Sequence, residues 1–196
     1  MNNTAGQAVP VTERSSLIRL SLGRGVLAIG WALAFAVVSD GLGAVAVALL
    51  VAYPLLDAGS SLLEHRTMPD GPERRVTAFN GMLSTLTAVA LGLAGTVGGT
   101  GTVLGVFGTW AALAGAAQFV VGLRRRGPTL GKQWPTLISG GLSFLVGLTY
   151  LGRAAGDAPA LQILSVYATG GGVFFIAQAA LLAWKQRQDN GKRSTP

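Results

Sequence analysis

Two residues of opposite charge, Arg24 and Asp57, lie inside long apolar segments of this 196-residue chain. Charged side chains are costly within a bilayer, so each one in such a segment is a candidate functional residue. Asp57 lies about six residues from the nearer end of its segment, hence roughly 9 Å deep at a helical rise of about 1.5 Å per residue. Arg24 lies at a similar depth in the preceding segment, so we predict that the two side chains meet.

This pair has two interpretations, which the sequence leaves open. A buried ion pair would fix the register of two helices, with Arg24 extending towards the headgroups if the pair does not form. Alternatively, protonation of Asp57 would release Arg24 in a proton or anion relay. Pro54 removes a backbone donor about one turn before Asp57, which either frees a carbonyl for the site or serves packing alone. The candidate intramembrane polar site comprises Arg24, Asp57, Asn80, Tyr53 and Pro54.

The helices that hold these residues are predicted from the spacing of the positive charges. Fourteen of the 15 Lys and Arg residues lie in four clusters, and the gaps between clusters are apolar. Each gap is long enough to cross a bilayer twice, at about 20 residues per helix. Because basic residues favour cytoplasmic loops, both termini are predicted to be cytoplasmic. The predicted fold is an all-α polytopic membrane protein with helices over 17–38, 41–63, 76–97, 100–123, 134–151 and 161–184.

Short connections on the far side join these helices in pairs, so we expect three antiparallel hairpins over 17–63, 76–123 and 134–184. They form one transmembrane domain, 17–185, between polar tails over 1–16 and 186–196, and the second tail is expected to be mobile. Only 12% of the residues are charged, against about 25% in soluble domains. The net charge of +7 is divided among helix ends, so the lipid bilayer is the expected partner and nucleic acid is not.

The three hairpins resemble one another in sequence. Three segments of the odd-numbered helices share a Gly and a Leu two residues later: Arg24-Gly25-Val26-Leu27-Ala28, Asn80-Gly81-Met82-Leu83-Ser84 and Ser139-Gly140-Gly141-Leu142-Ser143. The interval from Gly25 to Gly81 is nearly equal to the interval from Gly81 to Gly140. In the even-numbered helices, Ala58-Gly59 matches Ala114-Gly115 and Ala117-Gln118 matches Ala177-Gln178. A threefold hairpin repeat is therefore predicted.

These segments resemble the HdeD-like acid-resistance membrane proteins. The resemblance also rests on even-numbered helices that are rich in Gly and end in Arg-Arg-Arg or Lys-Gln-Arg, and on Leu55-Leu56-Asp57-Ala58-Gly59. It covers the chain from about residue 17 to about residue 187. What it implies is a bacterial inner-membrane protein, in some cases linked to acid stress, with no established chemistry.

The fourth helix carries a stripe of small residues, which we call the helix-packing seam: Gly101, Gly105, Gly108, Ala112, Gly115 and Gly122. Small residues allow close approach of a second helix within a bilayer. The seam is expected to pack against another hairpin of the same chain or, alternatively, to join a homo-oligomer or another membrane protein.

No catalytic constellation is found in the sequence. The chain has no Cys and a single His, and its eight acidic residues are scattered, so we expect no enzyme, no cofactor and no metal. The expected function is a non-enzymatic role in stress (acid) tolerance or membrane-protein interaction. The alternative is a small proton or solute transporter or channel that uses Arg24 and Asp57.

Overall fold

The computed structural model describes residues 11–124, 134–156 and 159–193. These residues form six α-helices and no strand: α1 (Val11–Val38), α2 (Ala44–Thr67), α3 (Pro72–Val97), α4 (Thr100–Arg124), α5 (Trp134–Ala154) and α6 (Ile163–Arg193). Each helix contains a segment long and apolar enough to cross a membrane. The prediction of an all-α fold with six such helices is confirmed.

The helices extend further than predicted at the end of the bundle where α1 begins and α6 ends. We call it the basic end, since Arg19, Arg66, Arg75, Arg124 and Lys185 lie there. The predicted polar tail over 1–16 gives way to helix at Val11, and the tail predicted from 186 continues α6 to Arg193. Hydropathy marks only the apolar part of a helix, whereas backbone hydrogen bonds carry the polar turns beyond it. Pro72 at the first turn, where no backbone donor is needed, sets the start of α3.

The six helices form a closed ring in chain order. Among the described residues, the backbone of each helix lies close only to the helices before and after it, and α6 lies against α1 to complete the ring. Arg24 meets Asp57 while Trp31 meets Leu49, so α1 and α2 run antiparallel. The start of α1 and the end of α6 therefore lie at the same end of the ring.

The closest packing lies between hairpins rather than within them. The close pairs are α2/α3, α4/α5 and α6/α1, whereas α1/α2 and α5/α6, each predicted as a hairpin, make sparse contacts. Glycine explains the difference, because it lets two helix backbones approach. A Cβ on Gly25 would lie 2.9 Å from the carbonyl oxygen of Gly172 in α6, and one on Gly140 would lie 2.8 Å from that of Gly115 in α4. Short loops constrain which helices are neighbours but not how closely they pack.

Aromatic rings fill the middle of the ring of helices. Neighbouring ring centroids lie between 4.6 and 6.5 Å apart. The cluster comprises Trp31, Phe35, Tyr53, Phe107, Trp110, Tyr150 and Tyr167. These rings come from five of the six helices, so the centre is packed with side chains.

Candidate functional site

The candidate polar site lies where α1, α2 and α3 meet, between the aromatic cluster and the basic end. Asp57 of α2 faces Arg24 of α1 and Asn80 of α3. Ser84 follows Asn80 by one helical turn and shares its face of α3, because residues four apart are neighbours on a helix. Helix register thus places an acceptor and its donors at one level.

Three donors bind the Asp57 carboxylate. Arg24 donates from Nη2 to Oδ1 at 2.8 Å. On the other oxygen, Asn80 donates from Nδ2 to Oδ2 at 2.7 Å and Ser84 donates from Oγ to Oδ2 at 2.8 Å. The structure therefore brings together three members of the candidate polar site, Arg24, Asp57 and Asn80.

Two further side chains extend this network. Asn80 also donates from Nδ2 to Ser61 Oγ at 3.0 Å. The indole of Trp110 in α4 donates from Nε1 to Ser84 Oγ at 3.0 Å, and this bond is buried. Because Ser84 accepts from the indole, its own hydrogen is directed at Asp57. The network thus spans α1 to α4 and ends at the aromatic cluster.

Arg24 has two other neighbours. Its Nη1 lies 3.8 Å from Glu64 Oε2, one oxygen of a second carboxylate on α2 that is nearer the basic end. Its guanidinium carbon lies 4.9 Å from the ring centroid of Phe175 in α6, a cation–π distance. The side chains of Arg24 and Asp57 are only 21% and 22% exposed, and that of Glu64 is 32% exposed. The guanidinium is therefore enclosed by two acids and an aromatic ring.

The structure places Tyr53 and Pro54 beside this network rather than in it. The Tyr53 ring packs 4.6 Å from Trp31 and 5.9 Å from Trp110 in the aromatic cluster. Pro54 is buried within the continuous helix α2. Near it, the Trp31 indole donates to the backbone carbonyl of Leu49 at 2.6 Å, which ties α1 to α2. Tyr53 thus belongs to the aromatic cluster, and Pro54 to the buried side of α2.

The helix-packing seam of α4 faces α5 of the same chain. A Cβ on Gly101 would lie 2.8 Å from the Ala154 carbonyl oxygen, and one on Gly108 would lie 2.9 Å from that of Gly147. The other four seam residues also face α5: Gly115 faces Gly140, Gly122 faces Leu137, Gly105 faces Ala154 and Ala112 faces Gly147. The alternative use of this seam as a docking edge for another protein fails, because α5 already covers it.

Sequence reasoning missed the uncharged members of the network, Ser61, Ser84 and Trp110, and the neighbours Glu64 and Phe175 of Arg24. Single Ser and Trp residues are common in apolar helices and give no signal by type. The available signal was spacing, because Asn80 and Ser84 stand at the two ends of one repeat segment and lie one turn apart. Glu64 was assigned to a loop, whereas α2 continues to Thr67.

The arrangement provides donors to one anion rather than a cage for a cation. Within the described ranges, no group of three His, Asp or Glu side chains lies close enough to hold a metal ion. Two shallow apolar grooves, of 340 and 530 Å³, lie between α2 and α3, and Arg24, Asp57 and Asn80 line neither of them. Chemically, the site surrounds one carboxylate with three protein donors within an apolar bundle.

No family model, curated protein or solved structure matches this chain. Its function must therefore be inferred from its own residues.

Proposed function

We propose that this chain is an inner-membrane protein of the HdeD-like kind, with a non-enzymatic role in stress (acid) tolerance or in interaction with other membrane proteins. Bacterial origin, cytoplasmic termini and the link to acid are parts of this proposal. It is carried by one observation: three protein donors already occupy the carboxylate inside the bundle.

A carboxylate so occupied favours a structural role over substrate binding. Asp57 has two oxygens, and each accepts a charged or neutral hydrogen bond from the protein itself. An ion or solute that entered would have to displace Arg24 or Asn80. Beyond the site, the path along the axis meets the packed rings of Tyr53, Trp110 and Tyr167. Polar groups of the described residues therefore do not line a continuous route across the bundle.

Transport of protons or a small solute is the second candidate. The observation in its favour is the second carboxylate, Glu64, 3.8 Å from Arg24 on the side of the basic end. A guanidinium between two acids provides successive charged positions along the axis. Because such groups are expensive within a membrane, they are frequently part of ion and proton pathways.

Proton flux into vesicles separates the two candidates. Purified protein is reconstituted into liposomes with a pH-sensitive dye, and wild type is compared with Asp57→Ala and with empty vesicles. We expect all three to leak at the same rate. Asp40→Ala is the matched control, since Asp40 is an exposed acid at the far end that is bonded to Gln162. Flux above that of empty vesicles in wild type and Asp40→Ala, lost in Asp57→Ala, would establish transport instead.

The stress role is tested in cells. A strain that lacks this chain is expected to survive acid challenge less well than its parent, and expression of the wild-type chain should restore survival. Equal survival of the deletion strain and its parent would leave only the interaction role.

A further inference from the structure

Two seams between consecutive helices are closed by the same kind of bond. In α3/α4, the Trp110 indole donates to Ser84 Oγ at 3.0 Å. In α5/α6, the hydroxyls of Ser143 and Tyr167 lie 2.8 Å apart. In both seams, an aromatic side chain on the even-numbered helix thus forms a hydrogen bond with a serine on the odd-numbered helix. Ser84 and Ser143 are equivalent in the repeat, because each is the last residue of its matched segment.

The same repeat identifies the corresponding pair in the α1/α2 seam. Tyr53 precedes Trp110 by the same interval that separates Trp110 from Tyr167. Ala28 is the last residue of the first matched segment, as Ser84 is of the second. The rings of Tyr53, Trp110 and Tyr167 meet at the centre of the bundle, 5.9 to 6.5 Å apart. Ala28 has no hydroxyl, so the bond that closes the other two seams cannot form here.

A second set of contacts follows the same intervals. The close helix pairs are α6/α1, α2/α3 and α4/α5. In each of them, the first residue of the matched segment on the odd-numbered helix lies against one residue of the even-numbered helix. These pairs are Arg24 with Phe175, Asn80 with Ser61, and Ser139 with Gln118. The interval from Ser61 to Gln118 equals the interval from Gln118 to Phe175, and it is also the interval from Tyr53 to Trp110. This interval of 57 residues is one more than that of the sequence match from Ala58 to Ala114 and three fewer than that from Gln118 to Gln178. The contacts, rather than those matches, define the equivalent positions of the even-numbered helices around the ring.

Asp57 is the ionisable member of its set of equivalent positions. At the same interval, the positions equivalent to Asp57 are Ala114 in α4 and Gly171 in α6. Neither Ala114 nor Gly171 has a side chain that bears charge. The α4/α5 and α6/α1 interfaces pack closely without a charge at these positions. The carboxylate is thus not required for packing of this kind. It stands instead beside the seam that lacks the hydroxyl–aromatic bond.

We propose that Arg24 and Asp57 form a latch on the α1/α2 seam that protonation of Asp57 opens. The pair replaces the hydroxyl–aromatic bond of the other two seams, and it depends on a charge that those bonds do not have. This latch is a property of the chain alone, so it is tested in the purified protein whatever its physiological role.

The groups around Asp57 determine how the latch responds. Arg24 of α1 is the cation that faces it, and Glu64 of α2 is the nearest other acid to that cation. Neutral Tyr53 and Tyr167 face it from α2 and α6. From α3 it meets only uncharged donors among the described residues, and α4 reaches it through the bond from Trp110 to Ser84.

A proton from the aqueous side of the basic end neutralises Asp57 and removes its attraction for Arg24. The guanidinium then loses its main partner. Nearer the far end, α1 and α2 stay joined by the bond from Trp31 to the Leu49 carbonyl, and α1 remains packed on α6 through Gly25 and Gly172. Opening therefore separates α1 from α2 at the basic end and leaves α1 on α6.

Distances between spin labels test the latch, and the absence of native Cys makes the labelling specific. One double variant carries Arg19→Cys and Arg66→Cys across α1/α2, and the control carries Arg19→Cys and Lys185→Cys across α1/α6. All three positions are exposed. When the pH is lowered from about 7 to about 4, the first distance should lengthen by several ångströms and the second should stay constant.

Two substitutions in the labelled protein assign the effect to the latch. Asp57→Asn should lengthen the α1/α2 distance at neutral pH, where Glu64 is unchanged. Ala28→Ser supplies the missing hydroxyl for Tyr53. It should keep the seam closed at both pH values in a protein that retains Asp57. This second variant decides the matter if Asp57→Asn does not fold. Three results would refute the latch. They are an α1/α2 distance that acid leaves unchanged, an equal lengthening of the α1/α6 distance, and an α1/α2 distance that still lengthens in acid in Ala28→Ser.

Discussion

Asp57 is the residue on which the polar network depends, because Arg24, Asn80 and Ser84 all donate to its carboxylate. Without the carboxylate, Arg24 and Asn80 lose their common acceptor. Removal of one member of an enclosed ion pair costs about 3–5 kcal/mol, since the other charge is left unpaired. Removal of a single neutral hydrogen bond between membrane helices costs about 0.6 kcal/mol on average. The energy of the site is therefore concentrated in the pair.

We predict that Asp57→Asn lowers the melting temperature of the detergent-solubilised protein, with a loss of about 3 kcal/mol in the free energy of unfolding. Asn keeps the shape of the side chain but removes its charge, so Arg24 is left without its main partner. Thermal unfolding followed by circular dichroism measures the change. Asp40→Asn changes an exposed acid that is bonded to Gln162. This variant should have the same melting temperature as wild type. An unchanged melting temperature in Asp57→Asn would show that the pair contributes no stability.

The charged and amide residues of the site could be identified from the sequence, whereas its other neutral residues could not. Arg24, Asp57 and Asn80 were included in the candidate site because ionisable and amide groups are conspicuous in apolar segments. The structure joins these three by hydrogen bonds. Ser84 and Trp110 gave no such signal, since their role depends on how α3 and α4 are rotated. Rotation is decided by packing, which a single sequence does not specify.

Helices of this bundle pack according to where glycine lies on both partners. In α4/α5, Gly108 and Gly115 are seven residues apart, and so are Gly140 and Gly147. A Cβ on any of these four would meet backbone atoms of the other helix within 3 Å. A seven-residue repeat keeps one face towards its partner over several turns. The interface is thus set by backbone contact along its length.

We predict that Gly115→Ala destabilises the protein while Gly105→Ala does not. A methyl group at Gly115 would lie 2.7 Å from the Gly140 carbonyl oxygen, and backbone cannot move aside as a side chain can. At Gly105 the nearest atom is the Ala154 Cβ at 3.8 Å, an ordinary contact. Overpacking of this kind costs about 1–3 kcal/mol, and thermal melting of both variants checks it. Equal melting of the two variants would mean that α4 and α5 pack less closely than the structure has them.

The existence of six helices followed from the sequence, but their pairing did not. Apolar length gave each span, because a helix that crosses a bilayer needs about 20 apolar residues. The expected hairpin contacts were inferred from loop length alone. The glycines of α5 and α6 were visible in the sequence, yet they become informative only when matched with Gly115 and Gly25 on the partner helices. The threefold repeat stays a prediction, with contacts arranged as it expects.

The molecule as a whole is asymmetric in charge along the axis of the bundle. Basic residues of the described chain lie at the basic end, or just inside it for Arg24, except Arg153 near the far end of α5. Asp40, at the far end, is acidic and exposed. Cytoplasmic loops carry the excess of Lys and Arg in membrane proteins. The anionic headgroups of that leaflet attract such residues by about 1 kcal/mol each.

We predict that the basic end faces the cytoplasm. In intact cells, a membrane-impermeant thiol reagent should label Gly41→Cys at the far end and leave Arg66→Cys at the basic end unlabelled. Both positions are exposed, and a side chain at Gly41 meets open space. The chain has no native Cys to compete for the reagent. Permeabilised cells provide the control, since both variants should then react. Labelling of Arg66→Cys alone in intact cells would reverse the orientation, and the latch at Asp57 would then take its proton from outside the cell.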